Sequence, residues 1–306
     1  MFQKISSLIF DKRFPYFLLY KYLESQKIKK SLIDHKIKNL KISLTFDVER
    51  LPENGLQNPI NFFTKISRLL NQKRAYATFF VEGSLTDMFP ESLRLIKKNE
   101  IGLHGFQHEL WGNEKWWVNK KPLKYKEKRE LLKKSIDIFE TNGFKRPKSF
   151  RAPYMIINNE TKKILTDFDF EIDSSDPSYL GIKPIPIFQN NLIEIPVTAN
   201  PMFKTSKRFF IPFAYYEIFN MEILKRISQN DFIDFINNVV NFQVSSGIEP
   251  HLVFLAHSWE FSHMKTRKFN YSSEKNYEIL LSSLELLEKK YKIKYLSLEQ
   301  LSKELK

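Results

Sequence analysis

The stretch ISLTFDVER, residues 42–50, begins as an apolar run and ends in two acidic residues, Asp47 and Glu49. Side chains at positions i and i+2 of a strand point to the same face, so the two carboxylates share a face and Val48 points away. Two like charges this close together need an explanation. They can serve chemistry, Glu49 can be solvated, or Arg50 can pair with Glu49.

After residue 38 the sequence alternates strand-like and helix-like segments. The strand-like segments include KISLTFD (41–47), RAYATFFVEG (74–83), EIGLHGF (100–106) and HLVFLAHSW (251–259). The helix-like segments include PINFFTKISRLLNQ (59–72), KYKEKRELLKKSIDIFETNGF (124–144), NDFIDFINNVVNFQVSSG (230–247) and EKNYEILLSSLELLEKKY (274–291). Such repeated units favour a parallel sheet flanked by helices, either closed as a barrel or open. We predict one α/β domain over residues 39–306, preceded by an N-terminal extension over residues 1–38.

The composition restricts the chemistry and the partners. The absence of cysteine excludes disulfides, thiolate catalysis and Cys-ligated zinc. A net charge of +14 suits an anionic partner such as nucleic acid, anionic lipid or an acidic glycan, or it reflects a lysine-rich surface. No nucleic-acid-binding motif accompanies the charge, so we expect no nucleic-acid partner.

The N-terminal segment does not have the pattern of an export signal. Its apolar stretch is broken at Asp11, Lys12 and Arg13, and no small-residue cleavage site follows. We therefore expect a cytoplasmic protein. Apolar residues recur in this segment at helical spacing, with Lys and Arg between them, as Phe2, Ile5, Leu8, Ile9, Phe14, Phe17 and Leu18. The segment is either a helix packed on the domain or a peripheral contact with the inner face of the membrane.

Polar residues gather where the predicted strands end, as Asp47 and Glu49, His104 and His108, Arg151, Asp173 and Asp176, and His257. In sheets of repeated strand–helix units, functional residues collect at the carboxyl ends of the strands. Five separate strand ends contribute here, which is typical of a barrel mouth.

HGFQH places His104 and His108 four residues apart, on one face of a helix or of a turn that enters a helix. Two neutral imidazoles and a carboxylate are a common ligand set for Zn²⁺ or a similar divalent ion. The spacing alone is weak, but the preceding strand and the nearby Asp47 and Glu49 favour a metal site.

Two further strand ends carry groups suited to hydrolysis. Arg151 can orient a carboxylate, and Pro153 stiffens the backbone so that an N–H just beyond it can serve an oxyanion. A surface arginine and a turn proline are the simpler explanation of that segment. His257 ends an apolar strand and can act as a general acid near neutral pH.

These segments, in this order, resemble the motifs of the NodB-type polysaccharide deacetylases, carbohydrate esterase family 4. TFDVE resembles the family's T-F-D-D-G motif, HGFQH its H-[ST]-x-x-H motif with Gly105 at the Ser/Thr position, and RAPY its R-x-P-Y motif. IDSSD and LAHSW resemble the fourth and fifth motifs. The resemblance covers roughly residues 39–300.

The resemblance implies a distorted (β/α)₇ TIM-like barrel and metal-dependent hydrolysis of an N-acetyl or related N-acyl group on a sugar. It implies that Asp47 is the general base, with Arg151 orienting it, and that His104 and His108 hold the metal. It further implies an oxyanion contact from the Tyr154 backbone N–H, and His257 as the acid that protonates the leaving amine, with Asp173 tuning it. Zn²⁺ is the metal we expect first, and Co²⁺ or Ni²⁺ are alternatives.

The departure from the family pattern is at Val48, where most relatives have a metal-binding Asp. Some relatives carry a D-V-[DE] version in which the acidic residue two places on takes the metal, and this pattern assigns the metal to Glu49. If Glu49 misses the metal, the chain would be similar to metal-independent members that act on cyclic ureides.

The segment after NLIEIPVT resembles the corresponding region of D-V-E-type relatives linked to exopolysaccharide or lipopolysaccharide assembly. Its aromatic residues are Phe203, Phe209, Phe210, Phe213, Tyr215 and Tyr216. They roof a substrate groove or pack on the barrel.

Three functions follow as hypotheses. The first is a metal-dependent N-deacetylase acting on a carbohydrate of a surface polysaccharide or of a lipid-linked glycan precursor. The second is a metal-independent amidohydrolase acting on a small ureide or imide, and the third is a glycan-binding protein without catalysis.

Overall fold

Strand β1, Asn39–Val48, is the central strand of the fold and pairs with three other strands. Along one edge, Lys41–Asp47 pair with β10, His251–His257. Along the other edge, Asn39–Ile42 pair with β13, Lys292–Tyr295, and Leu44–Val48 pair with β2, Ala77–Val81. All three pairings are parallel, as the alternation of strand-like and helix-like segments predicts.

The computed structural model describes residues 23, 25–51, 57–175, 184–189, 191–202, 204–205, 214–215, 218–262, 264–265, 270–271 and 273–306. The remaining strands are β2 Ala77–Val81, β3 Glu100–Leu103, β4 Ser149–Phe150, β5 Ile172–Asp173, β6 Ile187–Gln189, β7 Leu192–Glu194, β8 Lys204–Thr205, β9 Ala214–Tyr215, β11 Met264–Lys265, β12 Asn270–Tyr271 and β13 Lys292–Tyr295. The α-helices are α1 Ile60–Lys73, α2 Gly83–Met88, α3 Pro90–Leu93, α4 Tyr125–Thr141, α5 Asn159–Asp167, α6 Met221–Arg226, α7 Gln229–Ser245, α8 Ser273–Lys290 and α9 Leu298–Leu305. Short 3₁₀ turns span Arg94–Ile96, Pro153–Met155 and Ser258–Phe261.

The main sheet has the order β10-β1-β2-β3-β4-β5-β7-β6, with β13 beside β1. The strands from β10 to β7 run parallel, and β6 runs antiparallel to β7 at the far edge. Irregular backbone bridges the gap between the two ends of this sheet. Thr198 N–H donates to Val253 O at 3.0 Å, and Leu255 N–H donates to Phe219 O at 2.9 Å. The result is the distorted seven-stranded barrel that the family resemblance implies.

The two faces of β1 pack in different layers of the protein. Leu40, Ile42, Leu44, Phe46 and Val48 are buried in the large core between the sheet and the helices. Ser43, Thr45 and Asp47 are buried on the other face. A second apolar cluster, which includes Phe80, Val253, Leu298 and Leu301, brings α9 against this inner layer. The period of two in β1 therefore sends Val48 into the core and Asp47 into the barrel interior.

The principal helices form where the sequence predicts them. Helix α4 ends at Thr141, and Gly143 follows with a φ of 76°, as expected for a glycine that stops a helix. The helix signals at SLTDMFPESLRLIKKN (84–99) yield two short helices and a 3₁₀ turn instead of one helix. The break falls at Phe89–Pro90, because a proline cannot continue a helix from its interior.

Some predictions fall outside the described residues. The N-terminal extension is described only from residue 23 onward, with a short helical segment over residues 25–31. Asp176 and the aromatic side chains of the segment 203–216 also lie outside the described part. Within the described ranges, no helix combines the length and the apolar character needed to cross a bilayer.

Replacing Phe46 by alanine tests the core that holds β1. The Phe46 ring stacks on Phe79 with centroids 5.3 Å apart and packs edge-on against Phe62 and Phe254. We expect Phe46→Ala to lower the free energy of unfolding by about 3–5 kcal/mol in urea titrations. The control Phe188→Ala removes a ring that is 52% exposed and should change it by less than about 0.5 kcal/mol. Equal losses in the two variants would contradict this packing account.

Candidate metal centre

The carboxyl ends of β1, β3, β4 and β10 bring the sequence-predicted residues to one end of the barrel. The strand register fixes Asp47 and His257, because Asp47 on β1 is the direct neighbour of His257 on β10. His104 directly follows β3, and Arg151 directly follows β4, whose Phe150 pairs with Leu103. Residues separated by more than 200 positions in sequence thereby meet at one site.

Glu49, His104 and His108 converge on one small volume. The Glu49 Oε2 lies 3.0 Å from His104 Nε2 and 2.7 Å from His108 Nε2. The three candidate ligand atoms all lie within 4.8 Å of one another. Glu49 and His104 are nearly enclosed, with side chains 9% and 2% exposed. Two imidazole nitrogens and one carboxylate oxygen form a ligand set that suits a divalent cation.

His104 has its ring oriented by a hydrogen bond away from the ligand cluster. Its Nδ1 lies 2.9 Å from the carbonyl oxygen of Arg151. Because a carbonyl only accepts, Nδ1 carries the proton and Nε2 presents its lone pair toward Glu49 in the neutral ring. Metal-binding histidines are commonly oriented in this way by a second hydrogen bond.

His108 lies on a tight turn, whereas the sequence allowed for a helix. Its φ is 61° and that of Gly105 is 67°, so the chain passes twice through the left-handed region between the two histidines. The Glu109 carboxylate accepts from the N–H groups of Phe106 and Gln107, at 3.0 and 2.6 Å. Lys120 Nζ donates to the His108 carbonyl at 2.6 Å. These contacts stabilise a strained backbone that aims His108 at Glu49.

The electrostatics of the cluster fit a bound cation. Burial alone would raise the pKa of Glu49, but His108 and His104 hold it well below the usual range. Burial would lower the pKa of His104, but Asp47 and Glu49 raise it. The ionised Glu49 is therefore stabilised by the two imidazoles, and a metal ion can supply positive charge at the same place.

The two alternative explanations of Glu49 do not hold. The carboxylate is not solvated, because its side chain is only 9% exposed. Arg50 forms its ion pair with the fully buried Glu82, at 2.8 Å, and its backbone N–H donates to the same carboxylate at 3.0 Å. The Arg50–Glu82 pair fixes the chain directly after Glu49.

Asp47 is held by a buried ion pair with Arg151. The Arg151 Nη1 lies 2.8 Å from Asp47 Oδ1, and both side chains are almost completely enclosed. The same guanidinium donates to Thr45 Oγ1, to the Ser174 carbonyl and to Ser174 Oγ, at 2.8 to 3.0 Å. With its donors shared among these partners, Arg151 fixes Asp47 in one orientation.

His257 has a carboxylate partner, Glu260, that the sequence did not suggest. Glu260 Oε2 lies 3.2 Å from His257 Nδ1 and accepts the His257 backbone N–H at 2.8 Å. The His257 Nε2 then faces the site, 4.0 Å from Glu49 Oε1. Burial opposes protonation, but Glu260, Glu49 and Asp47 together raise the pKa of His257 to about 9.

Asp173, predicted to tune His257, is completely buried at the end of β5. Its Oδ1 accepts from Ser175 Oγ, and its Oδ2 lies 3.9 Å from Lys162 Nζ. Glu260 contacts His257 because a residue three positions further on, in a 3₁₀ turn, folds back over the ring. The tuning role of Asp173 stays a prediction.

Tyr154, predicted as an oxyanion donor, borders the cluster. Its ring packs edge-on against His108 with centroids 4.4 Å apart, and its φ is 61°. The role of its backbone N–H stays a prediction.

Other residues of the site were not singled out from the sequence. They are Thr45, Glu82, Ser174, Trp259 and Glu260. The signal for Glu260 was its place three residues after His257, the spacing of a helix-capping pair. Trp259 stood beside His257 in LAHSW, where only the histidine was assigned.

Comparisons with known proteins find similarity to deacetylases. Residues 35–172 match the family model described as polysaccharide deacetylase. The chain is 29% identical over 115 residues to the peptidoglycan deacetylase of Helicobacter pylori (strain ATCC 700392 / 26695), covering 36% of each protein. It is 33% identical over 123 residues to the peptidoglycan-N-acetylmuramic acid deacetylase PdaC of Bacillus subtilis (strain 168), covering 40% of this chain and 23% of PdaC.

The fold also has a solved counterpart. The crystal structure of a candidate polysaccharide deacetylase from Mycobacterium smegmatis superimposes with a TM-score of 0.58 at 16% identity, over 89% of this chain and 92% of that one. This likeness shows that the fold is an α/β barrel. The segment that matches the polysaccharide deacetylase model, residues 35–172, contains Asp47, Glu49, both histidines and Arg151. The chain spans about a third or less of the two curated relatives' own length.

Gly105 stands where the family motif has Ser or Thr, and its surroundings explain why a glycine is needed here. A Cβ at this position would lie 2.8 Å from Trp111 Nε1 and 3.0 Å from Glu109 Oε2, in addition to the positive φ. We expect Gly105→Ser to distort the His104–His108 turn, lowering both the unfolding midpoint and the affinity for Zn²⁺. Gly143→Ala is the matched control, since Gly143 has a φ of 76° but no atom within 4 Å of such a Cβ. It should cost about 1–2 kcal/mol and leave Zn²⁺ affinity unchanged. Equal behaviour of the two variants would contradict this account.

The pKa of His257 gives a second prediction. In NMR titrations of the metal-free protein, we expect its ring to titrate at about 9, while His251, buried without a carboxylate contact, titrates at about 4. Glu260→Gln should lower the His257 pKa, and so should added Zn²⁺, because both remove negative charge that favours the proton. Since the pKa of His257 in the folded protein lies above the ordinary histidine value of 6.5, protonation of His257 stabilises the fold below pH 6.5, and that stabilisation is lost as pH rises through about 9. A His257 titration midpoint near 6.5 that does not change in Glu260→Gln would refute the contact between His257 and Glu260.

Proposed function

We propose that this protein is a metal-dependent hydrolase that removes an N-acetyl or related N-acyl group from a sugar of a surface polysaccharide or of a lipid-linked glycan precursor. One observation carries the proposal. The Glu49–His104–His108 cluster lies at the same strand ends as a fixed carboxylate, Asp47, and a histidine, His257, that carries a proton at neutral pH. Amide hydrolysis needs these parts together: an activated water, a polarised carbonyl and an acid for a poor leaving amine.

The cofactor fits the donor set. Glu49 Oε2, His104 Nε2 and His108 Nε2 would hold the ion, and Zn²⁺ is our first proposal because it prefers nitrogen and oxygen ligands in this number. Co²⁺ and Ni²⁺ accept the same ligands. When bound, the cation would polarise the acyl carbonyl and lower the pKa of water.

The protein's own groups would perform the proton transfers. Asp47 has Oδ1 committed to Arg151, so Oδ2 is the atom available to take a proton from the attacking water. His257 would give the Nε2 proton to the leaving nitrogen, while Glu260 keeps the proton on Nδ1. The backbone N–H of Tyr154, beside His108, would donate to the developing oxyanion.

Aromatic side chains beside the cluster support a sugar substrate. Tyr154 contacts His108 on one side, and its ring centroid lies 6.4 Å from that of Trp117 on the other. Lys120 Nζ lies 6.0 Å from the Tyr154 ring centroid. Rings of this kind present apolar faces and polar edges, as a sugar does. The curated relatives are named for peptidoglycan substrates, which supports the carbohydrate class.

The cellular location is also a proposal. The basic and apolar N-terminal segment supports a cytoplasmic protein at the inner face of the membrane, where lipid-linked glycan precursors would be accessible.

Asp47→Asn tests the catalytic role. We expect the wild type, supplied with Zn²⁺, Co²⁺ or Ni²⁺, to release acetate from at least one of three substrate classes: N-acetylated oligosaccharides, sugar nucleotides or lipid-linked sugars. Asp47→Asn should reduce kcat by about 10²–10⁴ while retaining bound metal, because only the general base is lost. Asp137→Asn, on the exposed face of α4, is the matched control and should retain full activity.

The outcomes separate the three hypotheses. No release from any substrate class would contradict the proposal. Full activity after metal removal would favour the metal-independent amidohydrolase. Unchanged glycan affinity and cellular phenotype in Asp47→Asn would favour a glycan-binding protein without catalysis.

A further inference from the structure

The two oxygens of the Glu49 carboxylate have different partners. Oε2 faces the imidazoles of His104 and His108, at 3.0 and 2.7 Å. Oε1 accepts a hydrogen bond from the indole Nε1–H of Trp259 at 2.9 Å. One oxygen of the carboxylate therefore contacts the two histidines, and the other contacts the indole of Trp259.

Strand register brings Trp259 to Glu49. Asp47 and His257 are direct neighbours across β1 and β10, and Glu49 and Trp259 each lie two residues further along their chains. Trp259 sits on the 3₁₀ turn Ser258–Phe261, and its ring stacks on His257 with centroids 4.6 Å apart and planes 19° from parallel. The turn is tied down by Asn276, whose side-chain amide donates to the Glu260 carbonyl. The indole is therefore held in place by contacts other than Glu49.

A glutamate ligand needs such a contact more than an aspartate would. Its side chain has one more rotatable bond, so its carboxylate can rotate to offer both oxygens to a cation. Oε1 is also only 4.0 Å from His257 Nε2, the nitrogen that faces the site. In an ion pair with His257, Glu49 would no longer be available to bind the cation. The Nε2 proton of His257 would then be held by Glu49 instead of being available to the leaving amine.

We infer that Trp259 is a positioning residue for Glu49: its indole N–H holds Oε1, so that Oε2 alone is presented to the cation and His257 is left available to the substrate. The inference rests on the proposed metal-dependent function and deepens it. In this chain Val48 stands where most relatives have the metal-binding Asp, and Glu49 would be the ligand instead. The contact with Trp259 accounts for how the longer glutamate side chain holds one defined orientation. Partners in this outer layer typically change metal affinity by about 10–100-fold when removed.

Trp259→Phe removes the N–H and keeps an aromatic ring on His257. We expect the dissociation constant for Zn²⁺, measured by competition with a chelating dye, to rise by about 10–100-fold. The unfolding midpoint of the metal-free protein should stay close to that of the wild type, because the ring stacking is retained. Trp116→Phe is the matched control: this tryptophan is 45% exposed, and its replacement should leave Zn²⁺ affinity within about twofold.

Co²⁺ substitution gives a readout that simple packing would not move. The visible absorption of Co²⁺ depends on the number of ligands. We expect Trp259→Phe to shift the spectrum toward a higher coordination number, as Glu49 becomes free to bind through both oxygens. The Trp116→Phe spectrum should match that of the wild type.

A double-mutant cycle tests whether Trp259 acts through Glu49. In a Glu49→Gln background, Trp259→Phe should change Zn²⁺ affinity by less than about twofold, because the oxygen it positions has already lost its charge. An equal loss in both backgrounds would overturn the inference. So would wild-type affinity and a wild-type Co²⁺ spectrum in Trp259→Phe, while the proposed function would stand. A wild type that binds no metal would overturn both.

Discussion

The register of β1 against its neighbours is the constraint on which the site depends. Asp47 lies beside His257 because β1 and β10 pair in parallel from Lys41 to Asp47. A shift of one residue would exchange the two faces of β1, sending Asp47 into the apolar core and Val48 into the barrel. The apolar face of β1, centred on Phe46 and its ring contacts, makes that shift costly. The packing of the core thus fixes the position of the carboxylate proposed as the general base.

The second constraint is charge. Asp47, Glu49 and Glu82 are carboxylates largely removed from water at one end of the barrel, and Asp47 and Glu82 each have an arginine partner. Arg151 serves Asp47 and Arg50 serves Glu82, through several hydrogen bonds each. Buried ion pairs are costly to assemble unless their remaining donors are satisfied, and here they are. Only Glu49 relies on histidines, which exchange a proton for a metal ion far more readily than an arginine could.

The sequence predicted the parts of the site that depend on local pattern. Strand ends, and therefore the common location of Asp47, His104 and Arg151, follow from apolar runs that stop at polar residues. The partner of His257 could not be predicted in this way, because Glu260 reaches it through a 3₁₀ turn and a backbone hydrogen bond. Asp173 was assigned through the family resemblance; it contacts Ser175 and lies near Lys162, and its role in tuning His257 stays a prediction.

Diffraction from crystals soaked in Zn²⁺, recorded at the zinc absorption edge, tests the central claim most directly. The account predicts one strong anomalous peak about 2.0–2.2 Å from Glu49 Oε2, His104 Nε2 and His108 Nε2, with Glu49 Oε1 still on the indole of Trp259. The absence of a peak at this cluster, or a peak held by the histidines with Glu49 turned away, would contradict it.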